Sequence, residues 1–298
     1  MSTPMDDLGH ATRALASTAV KTPDAREASD LRSTQALVDL YTADPETDEA
    51  GYALSIIQYR GGLEEYTVAA EYSVSADAHK RRVAADILAQ LGWQEKAFHE
   101  ESVQILARLL TDADPAVLQA AAIACGHRHS ALTVQQLVVL ADHPSQNVRY
   151  GVSYGLAGQD DPQAIRALIQ LTKDPDRDVR DWATFALGSQ TEIDTSDLRQ
   201  ALRDRLTDND PEVRGEALVG LARRHDEQLK QAILDSLNGE FYGDWMLEAA
   251  EIVGDPDFAP ALEKLRARMD NDLPARFFDS VDKALLACSR QDDQGARR

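Results

Sequence analysis

The chain of 298 residues has 51 acidic side chains against 31 Lys and Arg, a formal charge of −20 at pH 7. This charge argues against nucleic acid or anionic lipid as the main ligand, because both bind basic surfaces. Hydrophobic residues make up 43% of the chain but aromatic residues only 6%, which favours close-packed helices over a β-sandwich. The composition predicts a folded helical protein predisposed toward basic partners.

The two ends of the chain differ from the part between them. We predict a tail or loose helical cap over residues 1–30, which are rich in Ala, Ser, Thr and Asp, and a disordered tail over residues 291–298. No signal-peptide pattern is visible, and no apolar run approaches the ~18 residues that span a membrane. Cys125 and Cys288 fall in separate predicted helices and imply neither a disulfide nor a metal site. We expect a cytoplasmic protein without a cofactor.

From residue 31 onward the sequence repeats at intervals of 31 to 34 residues. The clearest copy begins at Val179, with Ala183, Ala186, Leu187 and Gly188 at offsets +4, +7, +8 and +9. These apolar offsets share one arc of a helical wheel, so each copy predicts an amphipathic helix. The corresponding first residues of the other copies are Tyr52, Val83, Val117, Val148, Val213, Trp245 and Phe277.

The boundaries of these helices are also visible. Asp114, Ser145, Asp176 and Asp210 stand where a helix N-cap is needed, and Gly92, Gly126, Gly188 and Gly254 predict the ends. A second set of apolar periodic segments, such as 103–110 and 198–206, lies between them. The sequence therefore predicts eight antiparallel helix pairs that must stack to bury their apolar faces.

The pattern Asp-x-Asp-x-x-Val-Arg-x-x-Ala-x-x-Ala-Leu-Gly, complete at 174–188 and partly kept at 208–221 and 145–156, resembles HEAT repeats. Within that family it is similar to the short repeats first associated with phycobilisome lyases. The resemblance covers about residues 31–290. It implies an all-α fold, a right-handed α-solenoid of about eight stacked helix pairs. It implies no single activity, since such repeats are similar to those of scaffolds, inhibitors and lyase subunits.

Two patterns could suggest chemistry. Residues 151–155 spell the Gly-x-Ser-x-Gly motif of hydrolases, but that motif needs a strand-to-helix turn, and here Ser153 falls within a predicted helix. His127 and His129 are predicted at one edge of the solenoid and His143 at the other, as solvated loop residues rather than metal ligands. We therefore predict neither catalytic residues nor a metal site.

Arginine recurs at offset +1, as Arg149, Arg180 and Arg214, and carboxylates such as Asp174 and Asp208 recur in the turns. An anion-binding row is one interpretation of this pattern. We favour a ladder of Asp–Arg pairs between adjacent repeats, in which each exposed pair contributes little by itself.

Offsets +2 and +6 point away from the apolar stripe, and in HEAT-like stacking they should face the concave groove. The residues at these offsets are Ala85, Ala89, Gln119, Ile123, Tyr150, Tyr154, Asp181, Phe185, Gly215, Val219, Leu247 and Glu251. An apolar, aromatic-centred row on such a line is typical of a partner surface. Strong curvature of the superhelix, which would bury these positions against one another, is the alternative.

The sequence therefore favours a non-enzymatic scaffold or adaptor that binds a protein or peptide of basic character in its groove. The predicted partner-binding residues are Ile123, Tyr150, Tyr154, Asp181, Trp182, Phe185, Val219 and Glu251. Two alternatives stay open. The first is a bilin lyase or isomerase subunit, which only the resemblance implies, and the second is an inhibitor or immunity protein for a basic toxin.

Overall fold

The structure, a computed structural model, describes residues 29–239, 243–269 and 275–289. The predicted tail at 1–30 lies outside these residues except for Ser29 and Asp30, and the predicted tail at 291–298 lies wholly outside them. The described residues form sixteen α-helices and no strand. The prediction of an α-solenoid of eight helix pairs is confirmed.

The helices follow one another as first and second members of each pair. They are α1 Thr34–Ala43 and α2 Asp48–Arg60, α3 Leu63–Tyr72 and α4 Ala78–Ala89, α5 His99–Leu109 and α6 Pro115–Arg128, α7 Val134–Leu140 and α8 Gln146–Leu156, α9 Pro162–Leu171 and α10 Arg177–Ser189, α11 Ser196–Arg205 and α12 Pro211–Arg223, α13 Lys230–Asn238 and α14 Asp244–Val253, and α15 Ala259–Arg268 and α16 Ala275–Ser289.

An Asp-x-Asp pair with two separate tasks stands in three of the turns, those before α6, α10 and α12. In the turn before α10, the first carboxylate, Asp174, accepts the backbone N–H of Asp176 at 2.9 Å and so closes the turn. The second, Asp176, is the N-cap of α10 and accepts from the N–H groups of Asp178 and Val179. Asp112 with Asp114 and Asp208 with Asp210 repeat this arrangement before α6 and α12. Ser145 is the N-cap of α8 by position, but its side chain makes no capping bond.

The predicted Arg–Asp ladder is present. Arg149 donates to both carboxylate oxygens of Asp174 in the next repeat, at 2.6 and 2.9 Å, and Arg180 does the same to Asp208, at 3.0 and 3.1 Å. Arg214 donates to the carbonyls of its own turn, at Asp208 and Asn209. Arg149 and Arg180 therefore join one repeat to the turn of the next rather than forming an open anion row.

The second helices of consecutive pairs pack more extensively against one another than the first helices do. Glycine allows this approach, since a Cβ on Gly220 would lie 2.5 Å from Gly188 Cα, and one on Gly155 would lie 2.5 Å from Ala122 O. In a curved stack the more closely spaced layer lies on the inside. The second helices α4, α6, α8, α10, α12, α14 and α16 therefore line the concave face.

Two predictions of helix ends are wrong. Gly126 and Gly188 lie inside α6 and α10, and both are buried. They are needed for close packing, since a Cβ on Gly126 would lie 2.7 Å from the Tyr154 ring. Gly254, in contrast, is the left-handed C-cap of α14 with φ of 62°, and Gly92, with φ of 74°, lies in the loop after α4.

The repeat at Val83 is shifted by three residues relative to our prediction. Arg81 donates to both oxygens of Asp112, at 2.7 and 2.9 Å, and is therefore the counterpart of Arg149. Lys80, not Val83, corresponds to Val179. The groove-facing offsets of this repeat are then Arg82 and Asp86, and Ala85 and Ala89 belong to the buried side.

Buried arginines close the carboxyl ends of two second helices. Arg128 is 1% exposed and donates to the carbonyls of Leu88, in the last turn of α4, and Leu91, just after it. Arg224, which is 9% exposed, donates to five carbonyls at and after the end of α10 and within α12, those of Leu187, Gly188, Thr191, Ile193 and Gly220. Each guanidinium satisfies carbonyls that a helix end would otherwise leave without partners.

Candidate functional site

Four aromatic side chains from two adjacent second helices form one contiguous cluster on the concave layer. Trp182 of α10 lies at its centre, with ring centroids 4.9 Å from Tyr154, 5.5 Å from Phe185 and 6.1 Å from Tyr150. The contacts with Tyr150 and Phe185 are edge-to-face, the arrangement that aromatic pairs prefer. Trp182 itself is buried, whereas the other three rings are half-buried and present part of their surface to solvent. We call Tyr150, Tyr154, Trp182 and Phe185 the aromatic cluster.

The preceding repeat supplies His127, which the sequence analysis had placed in a solvated loop. Tyr154 lies across Gly126 of α6, and its hydroxyl is 3.2 Å from Nε2 of His127. Burial, reinforced by the charges of His129, Arg128 and Lys96, lowers the pKa of His127 to about 4, so its imidazole is neutral at pH 7. Burial also raises the pKa of Tyr154 to about 12. His127 is therefore a packed member of the groove and not the solvated loop residue that we predicted.

A signal for His127 was present in the sequence. It stands one helical turn after Ile123, which occupies offset +6, so it continues the same face of α6. The sequence analysis placed it in a loop because Gly126 was interpreted as the end of the helix.

A cleft of about 150 Å³ opens beside the aromatic cluster. Its lining residues are Gly126, His127, His129, Tyr154, Ala157, Trp182, Phe185 and Gln190. The walls thus combine aromatic surface with neutral imidazole and amide groups. This is the chemistry of a pocket that accepts one side chain of a bound chain, with polar groups to orient it.

The other predicted site residues fall in different surroundings. Asp181 is 6% exposed beneath the cluster on α10, and Ile123 is half-buried on α6. Val219, predicted to face the groove, is 2% exposed, because α12 packs closely between its neighbours. Glu251 is exposed on α14, two repeats beyond α10. Burial of these offsets, the alternative that the sequence left open, therefore holds for Val219 and Asp181, and the half-buried apolar residues lie on α6, α8 and α10.

The second helices toward the C-terminal repeats carry several exposed or half-buried acidic side chains. Asp178 on α10, Glu212 on α12, and Glu248 and Glu251 on α14 are among them, and we call these four the acidic strip. Arg177 pairs with Asp178 and Glu212, and Arg223 pairs with Glu248 at 3.0 Å. The four carboxylates outnumber these two guanidiniums, so the strip keeps an excess of negative charge.

The Gly-x-Ser-x-Gly segment has a packing role. Ser153 is 0% exposed within α8, and its hydroxyl donates to the carbonyl of Tyr150 at 2.8 Å. Gly151 and Gly155 allow α8 to lie against α6, where Cβ atoms would come within 2.8 Å of Gln119 O and 2.5 Å of Ala122 O. The motif is therefore a helix-packing feature, as its mid-helix position predicts.

The histidines and cysteines that could suggest a metal site are not grouped as metal ligands in the described structure. His143 Nδ1 accepts from the N–H of Ser145 at 3.1 Å in the turn before α8. Within the described ranges, no three His, Cys, Asp or Glu side chains are placed to hold a metal ion. Cys125 and Cys288 are both buried free thiols. None of the helices that the structure describes is long and apolar enough to cross a membrane.

Comparison with known proteins agrees with this geometry. A family model described as HEAT repeats matches residues 134–222 and 165–244. Together with the stacked helix pairs, the Asp-x-Asp turns and the ladder, these matches define the class: the chain belongs to the HEAT-repeat family.

Among individual proteins, it is similar to YibA of Escherichia coli K12, with 31% identity over 224 residues that cover 72% of this chain and 79% of YibA. The X-ray structure of YibA aligns with a TM-score of 0.68 and 25% identity, covering 91% of this chain and 98% of that one. The crystal structure of Kap121p aligns with a TM-score of 0.58 over 86% of this chain and 34% of Kap121p. Its 15% identity shows a shared fold alone.

Proposed function

We propose that this protein is a non-enzymatic interaction scaffold whose concave face binds a peptide segment carrying apolar and basic side chains. The aromatic cluster is the observation that carries the proposal. Three half-exposed rings supported by the buried Trp182 present rigid apolar surface next to a cleft, as binding hot spots do. Cores of ordinary repeats would bury such rings instead of leaving them on the inner face.

The acidic strip supports the basic character of the partner. It lies on the second helices from α10 to α14, so a segment anchored in the cleft and running toward the C-terminal repeats would meet Asp178, Glu212 and Glu251. Complementary charge raises association rates and disfavours acidic competitors. The formal charge of −20 acts in the same direction at long range.

Selection from a random peptide library on the immobilised full chain tests this proposal. We expect the selected peptides to be enriched in Lys or Arg together with an aromatic or aliphatic anchor. In fluorescence anisotropy, Phe185→Ser should weaken binding of a selected peptide at least about tenfold, as expected for an aromatic hot spot. Glu251→Lys should also weaken binding of the peptide. Its affinity relative to the unaltered protein should fall further as salt is lowered, because the reversed charge is then less screened.

Val139→Ser is the matched control. Val139 is 69% exposed on the first helix α7, outside the concave layer, so its loss should leave peptide affinity unchanged. Circular dichroism and melting would check that each variant stays folded. Selected peptides without basic residues, or full affinity in both Phe185→Ser and Glu251→Lys, would contradict the proposal. The bilin-lyase and toxin-inhibitor alternatives stay predictions without an observation that favours them.

A further inference from the structure

The loop after α4 has a composition and backbone unlike those of the other repeats. Residues 92–98 lengthen this connection and include the 3₁₀ turn Trp93–Glu95. Among the described residues five non-glycines have positive φ, and three of them, Trp93 at 45°, Lys96 at 45° and Phe98 at 53°, lie in this loop. Such conformations cost free energy and persist where the surrounding structure imposes them, often at functional sites.

This loop places a lysine beside a buried arginine. A cleft of about 150 Å³ is lined by Ala89, Gln90, Trp93, Lys96, His127 and Arg128. Within the described parts of the chain, neither Lys96 nor Arg128 forms an ion pair with a carboxylate. Arg128 uses two of its five N–H donors on the carbonyls of Leu88 and Leu91. We call Trp93, Lys96, His127 and Arg128 the basic corner.

Arg224 occupies the equivalent position in a later repeat and has carboxylates near it. It stands eleven residues after Val213, as Arg128 stands eleven after Val117, and it closes the same kind of helix end. The loop facing Arg224 provides Glu192 and Asp194, whose charges oppose the effect of burial on the pKa of that arginine. The loop facing Arg128 provides Lys96 instead, and burial alone lowers the pKa of Arg128 to about 10.

Two further polar nitrogens near the basic corner, one of them an indole N–H donor, have no partner in the described structure. The Nε1 atom of Trp93 is buried without a hydrogen bond, and Trp93 lines the cleft. The Nδ1 atom of His99 is likewise buried and unbonded, and His99 lies within electrostatic reach of Lys96, Arg128 and Glu100. A buried donor without a partner costs free energy, which an acceptor arriving from outside would recover.

We propose that the basic corner is an oxyanion-binding site that takes a compact carboxylate or phosphate group. The anion would accept from the exposed Lys96 ammonium beside the positive charge of Arg128, and a rotation of the Trp93 side chain would bring its buried indole N–H to the same anion. The basic corner carries positive charge, whereas the acidic strip carries negative charge. His127 lines both the cleft of the basic corner and the cleft beside the aromatic cluster. The basic corner does not rest on the peptide-binding proposal, because a free anion is sufficient to occupy it.

An NMR titration of the full chain at pH 7 and constant ionic strength tests the site. Inorganic phosphate and acetate would be added in separate series, and the imidazole resonances of His127 and His99 followed. We expect saturable shifts with at least one anion. Saturation by phosphate alone would support a phosphate-bearing ligand, and saturation by acetate as well would support a carboxylate, such as that of a peptide.

Lys96→Gln removes an exposed ammonium outside the helix core and should weaken anion binding about tenfold, the usual effect of losing a charge-assisted hydrogen bond. Trp93→Phe keeps an aromatic ring but lacks the N–H, and should weaken binding several-fold. Lys173→Gln, at an exposed lysine in the turn before α10, is the matched control and should bind as the unaltered protein does. Shifts that never saturate, or that are equal in all three variants, would overturn the proposal.

Discussion

Arg149 Nε lies 2.6 Å from Asp174 Oδ2, and its Nη2 lies 2.9 Å from Asp174 Oδ1, so one guanidinium spans both oxygens of a carboxylate in the next repeat. The side chain of Asp174 is 5% exposed and that of Arg149 15%. Asp174 also closes its own turn through the N–H of Asp176. A single carboxylate therefore joins the shape of one turn to the position of the preceding helix.

Asp174→Asn should lower the free energy of unfolding by about 1–3 kcal/mol, because the amide keeps an acceptor for Asp176 but loses the charge and one bond to Arg149. Denaturant unfolding followed by circular dichroism measures the change. Arg223→Gln is the comparison, since Arg223 and Glu248 are 44% and 45% exposed and an exposed pair contributes under about 1 kcal/mol. Equal losses in the two variants would show that burial adds nothing to the ladder.

Gly220→Ala should destabilise the protein by about 1–3 kcal/mol, since the added methyl would lie 2.5 Å from Gly188 Cα and force α10 and α12 apart. Gly51→Ala is the control. Gly51 is an exposed residue of α2 with no atom within 4 Å of the added methyl, so alanine should stabilise the helix by up to about 1 kcal/mol. In thermal melts, the melting temperature should fall for Gly220→Ala and rise for Gly51→Ala if the contact between α10 and α12 causes the destabilisation. A stabilised Gly220→Ala would mean that the concave layer is looser than described.

His127 makes the stability of the protein depend on pH. Its pKa in the folded protein is about 4, below the ordinary 6.5, because of burial and the charges of His129, Arg128 and Lys96. Between these values the unfolded chain binds more protons, so stability should fall as pH decreases from about 6.5 to 4, by at most about 3 kcal/mol. Unfolding curves of the unaltered protein and His127→Gln, compared across this range, isolate the effect.

The comparison with His127→Gln is needed because Asp86 acts in the opposite direction. Burial raises the pKa of Asp86 to about 6, so the folded state binds more protons there and stability should fall as pH rises from about 4 to 6. The difference between the two proteins should therefore shrink steadily with acidification. A difference that stays constant with pH would contradict the neutral, packed state of His127.

The architecture could be predicted from the sequence because each repeat must bury the same stripe, and Val179, Ala183 and Leu187 are 0% exposed as that stripe requires. The register of the repeat at Val83 could not be predicted, because Leu91 and Gly92 imitate the pair Leu187 and Gly188 three residues too late. The bond between Arg81 and Asp112 and the N-cap Asp77 reveal the true register.

The candidate site was predicted in part. The aromatic residues stand out against alanine and valine in the other copies, so Tyr154 and Phe185 could be singled out from their offsets alone. The burial of Val219 depends on how closely α12 approaches its neighbours, which one repeat's pattern does not encode. The basic corner depends on a loop conformation and on Arg128, whose burial arises only when adjacent repeats stack.

The ladder is not continuous, since Leu118 of α6 occupies the position that Arg149 and Arg180 hold in the following repeats. The junction between α6 and α8 is closed instead by Gly151 and Gly155, which set backbone against backbone. Under tension along the solenoid, junctions held by ion pairs should soften as salt screens them, whereas this junction should not. We therefore expect the α6–α8 junction, where His127 meets Tyr154, to keep its shape at high salt, while the junctions bridged by Arg149 and Arg180 become more compliant.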